Sequence, residues 1–504
     1  MSPYFLFLFV LIYFLVLLGV AWYTSRNADN NSFFIGNRNS NWMLVAFGMI
    51  GTSLSGVTFV SVPGTVGTNN FAYFQVVIGN FIGYCLIAFI LLPLYYKMQV
   101  TSIYNYLLNR FGKVSYKTGA LFFIISRVLG ATARLYLVIN VLQIFILDNL
   151  HIPFWLTTFI ILLMILLYTF EGGVKTIVFT DMLQTTCMLL GLVVCIYFIM
   201  QKMHFSFGDA LQSLHAKNYT KIFNTDVKSG SFFMKQIIGG AFLTIGMTGL
   251  DQEMMQKNIS VRTLKDSQKN MLTFSLISVG VNFLFLFLGG LLYVFASSQN
   301  MSIKGDDLFP TVALNYLPSF ISIIFIIGLI SALFPSADGA LTALTSSFCI
   351  DILGLNRRKK KQTGTTDFLT GINKKELTEK QIKRTRISVH ITFALIFFLC
   401  IMIFKWINDK SIINVILVVA GYTYGPLLGL FLFGIFTKRM LPQNAVMVII
   451  CIAAPVITYI LSTNATKWFN GYAIGIELLL INGLLTFAGL LLVSKPAIQL
   501  NAVD

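Results

Sequence analysis

Apolar runs of about 20 residues recur along the whole chain, and they constrain its fold more than any other feature. A helix of that length crosses the ~30 Å hydrocarbon core of a bilayer. With 56% hydrophobic and 11% charged residues, the chain of 504 residues carries too little polar surface for a soluble protein. The period-2 alternation of membrane β-strands is absent. We therefore expect an all-α polytopic membrane protein.

The runs predict about thirteen transmembrane spans. The first is expected to be retained, since it has neither a basic leader nor a small-residue cleavage site. When successive loops are assigned to alternate sides, most of the 36 lysine and arginine residues, Lys257 among them, fall on one side. This asymmetry predicts an outside N-terminus and a cytoplasmic C-terminus in the plasma (inner) membrane. The expected spans are 3–24, 42–66, 75–96, 118–146, 153–171, 173–200, 234–250, 270–297, 316–349, 387–405, 411–437, 442–463 and 471–494.

The charge balance argues against several other classes of protein. We attribute the net charge of +17 to membrane orientation, so no nucleic acid partner is expected. The basic segment 352–386 is predicted to be a cytoplasmic loop beside anionic lipid. The four histidines are scattered and form no ligand cluster, so an enzyme is not expected. The expected partners are the bilayer and a small-molecule substrate, with the protein functioning as a monomer.

Two of the spans contain glycine-rich interruptions, one at Gly51–Gly56 and one around Gly246 and Gly249. Unwound backbone at membrane depth is tolerated only where it lines a cavity or is buried in protein. Each interrupted span begins a block of five predicted spans, 42–200 and 234–437. Paired interruptions of this kind are typical of transporters built from inverted repeats. The alternative is that the glycines only allow close helix packing.

Several motifs occur in a specific order: "SFFIGNRN", "TSIYNYLLNRFG", "EGGVKTIVFTDMLQ", "GLDQEMMQK", "DDLFPTVALNYLP" and "GYTYGPLLGLFLFGIFTKR". In that order they resemble the sodium:solute symporter family, which includes sodium-coupled carriers of glucose, proline, sialic acid, pantothenate and iodide. The resemblance implies a leucine-transporter-like core of five plus five helices, with discontinuous helices and alternating access. It also implies peripheral helices at 3–24 and within 442–494, and secondary active symport driven by sodium.

The resemblance further implies a sodium site between the first broken helix and the eighth core helix. The family's ligands fall on the backbone carbonyls of Gly51 and Leu54 in the broken helix. On the eighth core helix they fall on the carbonyl of Ala332 and the hydroxyl of Ser336. Residues 332 and 336 are four apart and so face the same side of a helix.

Pro335 stands where the family has a second sodium-binding hydroxyl. Because proline has no amide hydrogen, it frees the carbonyl of Ser331. We hypothesise that this carbonyl, or else Ser53, replaces the missing ligand. The alternative is a kinked helix that binds sodium weakly or not at all.

Asp181 is an intramembrane carboxylate, which makes it a functional candidate in its own right. The resemblance ties it to a second cation site or to the exit path of the ion. Asp338 and Gly339 stand where members with a second site have hydroxyls. Proton coupling through Asp181 is therefore kept as an alternative to sodium coupling.

Two arginines, Arg127 and Arg134, lie two turns apart on one face of the fourth span. Arginine presents a planar fork suited to carboxylates, and some family members hold an anionic substrate with an arginine from this helix. Arg127 is also a candidate for a structural ion pair, with Asp181 as the expected partner.

The predicted substrate-binding residues match the sugar carriers poorly, which argues against a sugar without naming its replacement. A carboxylate or zwitterion, such as sialic acid, an amino acid or a monocarboxylate, is the interpretation that we carry forward. Asp251 stands where those carriers have an asparagine, and Glu253 where they have an aromatic gate. A sodium/sugar symporter is the alternative. The candidate substrate contacts are Thr58, Asn80, Arg134, Asp251 and Gln252.

Overall fold

The computed structural model describes residues 3–25, 40–100, 102–169, 173–355, 379–407 and 412–496. Over these residues the chain is helical, with two isolated β-bridges and no longer strand. Most of the predicted basic loop 352–386 lies outside the described residues. The helices are α1 (Pro3–Ser25), α2 (Trp42–Ser53), α3 (Gly56–Asn69), α4 (Tyr73–Leu86, continued by Ile87–Leu91 and Leu92–Met98), α5 (Asn105–Phe111), α6 (Lys113–Leu142, continued by Gln143–Leu147), α7 (Phe154–Thr169), α8 (Gly173–Lys202), α9 (Phe207–Ala216), α10 (Phe233–Thr244, continued by Ile245–Gly249), α11 (Gln252–Ile259), α12 (Leu264–Ser298), α13 (Leu308–Asn315), α14 (Ser319–Ser347, continued by Phe348–Ile352), α15 (Glu379–Ile407), α16 (Ile412–Thr423), α17 (Gly425–Phe436), α18 (Ala445–Trp468) and α19 (Leu478–Val493).

The helices follow the predicted spans in order and with similar boundaries. Within the described residues, eight helices are long and apolar enough to cross a bilayer, or up to ten if each bent pair is one span. Large apolar side chains cover the outer surface, as Trp406 and Leu492, each 87% exposed, illustrate. In a bilayer such side chains would face lipid. The exact number of spans stays a prediction.

The first predicted interruption is a real break between α2 and α3. Leu54 has φ −87° and ψ 75°, and Ser55 is extended with ψ 178°, so neither residue continues the helix. The glycines beside the break also allow close packing, since a Cβ at Gly51 would overlap Thr185 Oγ1 of α8, and one at Gly56 would overlap Val138 of α6. The glycines therefore accompany a helix break and also allow close packing, while the inverted-repeat arrangement stays a prediction.

The second interruption separates α10 from α11, whose axes differ by 67°. Asp251 restarts the helix, because its carboxylate accepts hydrogen bonds from the amides of Glu253 (2.9 Å) and Met254 (3.2 Å). The helical, buried chain continues beyond the predicted span end at residue 250, because every residue of α11 is buried in the protein. A further bend of 45° separates α16 from α17.

Helices of the two predicted repeats pack closely against each other. Helix α10 lies on α4, where a Cβ at Gly240 would stand 2.7 Å from the carbonyl oxygen of Val76. Helix α8 lies on α14, where a Cβ at Gly191 would stand 3.5 Å from the Cα of Gly328. These contacts hold both broken helices in the centre of the bundle, against α6, α8 and α14.

Candidate functional site

The break in the first helix exposes backbone carbonyls in the protein interior. At the end of α2, the amide of Leu54 donates a hydrogen bond to the carbonyl of Ile50 (2.7 Å). At the start of α3, the amide of Phe59 donates to the carbonyl of Ser55 (3.1 Å). Within the described residues, no backbone amide bonds the carbonyls of Gly51 through Leu54. Freed carbonyls of this kind are the ligands that broken membrane helices offer to sodium.

Helix α14 passes beside this break and continues through Pro335 without interruption. Ala332 and Ser336 are both buried, and Ser336 Oγ donates to the carbonyl of Leu333 (2.9 Å), which leaves its oxygen lone pairs available. The hydroxyl of Ser331 instead donates to Tyr13 OH on α1 (2.6 Å), away from the break. The hydroxyl of Ser331 is therefore not expected to bind sodium, whereas its backbone carbonyl stays a predicted ligand. The sodium site itself remains a prediction that this geometry favours.

A cluster of five charged side chains lies near the break and connects α6 and α8 with the second broken helix. Arg127 of α6 pairs with Asp251 (3.6 Å) and with Glu253 of the second broken helix. Lys257 of α11 pairs with Asp181 of α8 (2.7 Å) and lies 3.4 Å from Glu253. None of these side chains is more than 5% exposed. Buried charges need such partners, because an unpaired charge in this environment is costly.

Two sequence-based expectations about this cluster are wrong. Lys257 is not a cytoplasmic loop residue, since its side chain is 3% exposed and binds Asp181. Arg127 does form an ion pair, but with Asp251 and Glu253 rather than with Asp181. The signal that could have located Lys257 is the spacing of Glu253 and Lys257, which are four residues apart and so share one face of a helix.

Asp338, the other predicted second-site residue, is fully buried and accepts a hydrogen bond from Tyr168 OH (2.9 Å). The next residue, Gly339, makes room for the carboxylate of Glu253, because a Cβ there would overlap Glu253 Oε1. Of the two hydroxyls expected around a second cation, one is thus replaced by the Asp338 carboxylate, which already accepts a hydrogen bond. The other is absent at Gly339, and the Glu253 carboxylate fills the space.

A cavity of about 120 Å³ opens directly beside the first break. Polar and apolar side chains both line it, and the amide of Asn80 lies 3.0 Å from the hydroxyl of Thr244. Arg134 lines this cavity, and within the described residues it forms neither a hydrogen bond nor a salt bridge. The polar lining residues are Thr52, Ser53, Ser55, Thr58, Tyr73, Asn80, Tyr84, Arg127, Arg134, Thr244 and Thr248.

The predicted substrate contacts divide into two groups. Thr58, Asn80 and Arg134 line the cavity. Asp251 and Gln252 do not, because Asp251 caps α11 and accepts from Tyr424 OH (3.1 Å), while Gln252 Oε1 accepts from the amide of Ile103 (3.0 Å). Both side chains are fully buried. Asp251 and Gln252 therefore stabilise the backbone around the second break and do not line the cavity.

A larger cavity of about 440 Å³ adjoins the first and shares with it Tyr73, Ile413 and Leu417. Its lining includes Gly230 and Gly475, which belong to the connections that follow α9 and α18. The sequence contains no sign of this cavity, because its walls come from segments that are distant in the chain.

Comparisons with known proteins agree with this architecture. The model of the sodium:solute symporter family matches residues 33–451. The chain is 21% identical to the sodium/sialic acid symporter NanT of Aliivibrio fischeri, over 93% of this chain and 89% of the relative. It is 22% identical to the sodium/sialic acid symporter SiaT of Proteus mirabilis, over 97% and 95%.

Among solved structures, a sodium-coupled sialic acid symporter in a substrate-bound outward-open state has the same fold, with a TM-score of 0.80 at 19% identity. The superposition covers 98% of this chain and 99% of that one. The family match extends over most of the chain, from before the first broken helix to α18. The chain belongs to the sodium:solute symporter family.

Proposed function

We propose that this symporter uses sodium to import a small, hydroxyl-rich carboxylate of the sialic acid class by alternating access. Sodium coupling follows from the family and from the freed carbonyls of Gly51 and Leu54. We place the protein in the plasma (inner) membrane, with its N-terminus outside and its C-terminus in the cytoplasm, as the distribution of basic residues predicts.

The observation that carries the substrate class is the contrast between two arginines of α6. The charge of Arg127 is met by Asp251 and Glu253, whereas Arg134 has no such partner among the described residues and faces the cavity. A guanidinium that is held near the bilayer centre without a counter-ion is costly. A substrate carboxylate supplies that counter-ion and accepts two parallel hydrogen bonds from the guanidinium fork.

The remaining lining favours a substrate with several hydroxyl groups. Hydroxyls and amides dominate the wall beside the break, where Ser55, Thr58, Asn80 and Thr248 contribute. Such groups donate and accept hydrogen bonds and therefore match a polyol. A neutral sugar would leave the charge of Arg134 unmet, which argues against a sodium/sugar symporter.

An amino acid substrate and proton coupling receive less support from the contacts. An amino acid needs an acidic partner for its ammonium, and Asp251, the candidate for that role, is engaged by Arg127 and Tyr424. Proton coupling through Asp181 needs a carboxylate that is free to exchange protons, and Asp181 is bound by Lys257 and Thr52. Sialic acids are also the substrates named for the two relatives with high coverage.

The test is uptake into proteoliposomes with sodium or choline outside, at one pH. The panel is N-acetylneuraminate, lactate, glucose and proline. We expect uptake of N-acetylneuraminate that requires sodium and is lost in Arg134→Gln but retained in Arg384→Gln, a substitution on the exposed surface. Uptake of glucose or proline alone would refute the carboxylate, and equal uptake in choline would refute sodium coupling.

A further inference from the structure

The ammonium of Lys257 lies inside a cage of oxygen atoms. Its Nζ donates to Asp181 Oδ2 (2.7 Å) and to Thr52 Oγ1 (2.6 Å), and lies 3.4 Å from Glu253 Oε1. The second oxygen of Asp181, Oδ1, is buried and has no hydrogen-bond partner among the described residues. Carboxylate and hydroxyl oxygens are the ligands that suit hard metal cations. The lysine therefore stands where these oxygens could otherwise bind a free cation.

The arrangement is built from both repeats and from the α14 helix. Thr52 comes from the first broken helix, Lys257 and Glu253 from the second, and Asp181 from α8. Glu253 reaches this position because Gly339 has no side chain. A residue with a side chain at position 339 would displace the glutamate from Lys257. The space for the lysine and its partners is thus created by several residues together.

The charge balance of the cluster explains why a cation is required there. Among the described residues, Lys257 and Arg127 are the basic side chains that form salt bridges with Asp181, Asp251 and Glu253, so three carboxylates share two cations and one negative charge is left in excess. Without Lys257, Asp181 would lose its only salt-bridge partner in the described part of the chain. Buried carboxylates in that situation strongly attract any cation that can enter.

We propose that Lys257 is a tethered cation that occupies the predicted second cation position at Asp181. It leaves the transporter with the single sodium site at the first helix break. This inference rests on the proposed sodium coupling. It implies that one sodium ion binds per chain, and that removal of the lysine charge opens a second sodium position formed by Asp181, Thr52 and Glu253.

The test measures equilibrium binding of ²²Na⁺ to the purified full-length protein, with choline chloride holding the ionic strength constant. We expect one ion per chain in the wild type and two in Lys257→Gln. Lys265→Gln, which removes an exposed lysine nearby in the chain, should still bind one. If Lys257→Gln does not fold, Lys257→Gln/Glu253→Gln removes one charge of each sign and should also bind two.

Each other result has a distinct meaning. Two ions in the wild type, or one ion in a folded Lys257→Gln protein, would overturn the tethered-cation proposal while sodium coupling stands. Absence of saturable sodium binding in the wild type would overturn the proposed sodium coupling itself. Adding Asp181→Asn to Lys257→Gln should return the count from two to one, and two ions in that variant would exclude Asp181 as the ligand.

Discussion

Replacing Arg127 and Arg134 by glutamine, one at a time, should separate structural from substrate-binding charge on a single helix. The two residues lie two turns apart on α6 and face the same cavity. Their surroundings differ, because Arg127 contacts Asp251 and Glu253 while Arg134 forms no salt bridge to a described residue. The same substitution therefore perturbs the folded protein in two different ways.

Arg127→Gln should lower the free energy of unfolding substantially. It removes the ion-pair partner of Asp251 and leaves Glu253 with Lys257 alone, at a distance of 3.4 Å. Breaking a buried pair by removing one partner costs about 3–5 kcal/mol, because an uncompensated charge stays behind. Adding Glu253→Gln to Arg127→Gln removes one of these charges and should recover part of the loss.

Arg134→Gln should not lower the stability of the substrate-free protein, because it removes a charge without a salt-bridge partner, and it should weaken substrate binding. No described carboxylate loses a salt bridge. A hydrogen bond to a charged group is worth about 1.5–3 kcal/mol. The dissociation constant for N-acetylneuraminate should therefore rise by roughly ten- to a hundredfold.

Unfolding in mixed detergent micelles measures the stability of each variant, and equilibrium binding of the radiolabelled acid in saturating sodium measures its affinity. Arg384→Gln is the matched control for loss of an exposed arginine. The reasoning would be refuted if Arg134→Gln destabilised the protein as much as Arg127→Gln, or if it bound the acid as tightly as the wild type.

Three further substitutions test the predicted sodium site through the sodium dependence of uptake. Gly51→Ala should impair sodium binding, because its Cβ would overlap Thr185 Oγ1. Adding Thr185→Ala should restore part of the lost binding, and a double variant without any recovery would show that this contact is not the cause of the defect. Ser336→Ala should weaken sodium binding roughly tenfold, the effect of one lost ligand, whereas unchanged affinity would remove Ser336 from the site. Pro335→Ser should leave sodium affinity close to the wild-type value if the carbonyl of Ser331 replaces the missing hydroxyl, and a sharp rise would contradict that replacement.

The positions of both helix breaks could be predicted from the sequence, for a local physical reason. Glycines and hydroxyl-bearing residues weaken a helix wherever they cluster, and such clusters stand out in an apolar run. The structure confirms breaks beside Gly51 and Gly249. Asp251 fixes where the second helix restarts through its own backbone contacts, which span only three residues.

The partners of the buried charges could not be predicted in the same way. Arg127 and Asp181 were both identified as intramembrane charges, yet each pairs with a residue of α11 and not with the other. The segment that carries Glu253 and Lys257 is polar and follows the end of the predicted span at residue 250. It is buried because the 67° bend turns α11 back into the bundle.

The sequence alone thus determined the membrane class, the breaks in two helices and the family, since each depends on local composition or on motifs of contiguous residues. Only the tertiary structure decided which of the two cavity-lining arginines is neutralised by carboxylates, and that a lysine lies beside Asp181. These outcomes depend on how helices from both repeats cross. Because electrostatic pairing acts over a few ångströms in space, a pair formed by residues far apart in the chain has no signature in the order of residues.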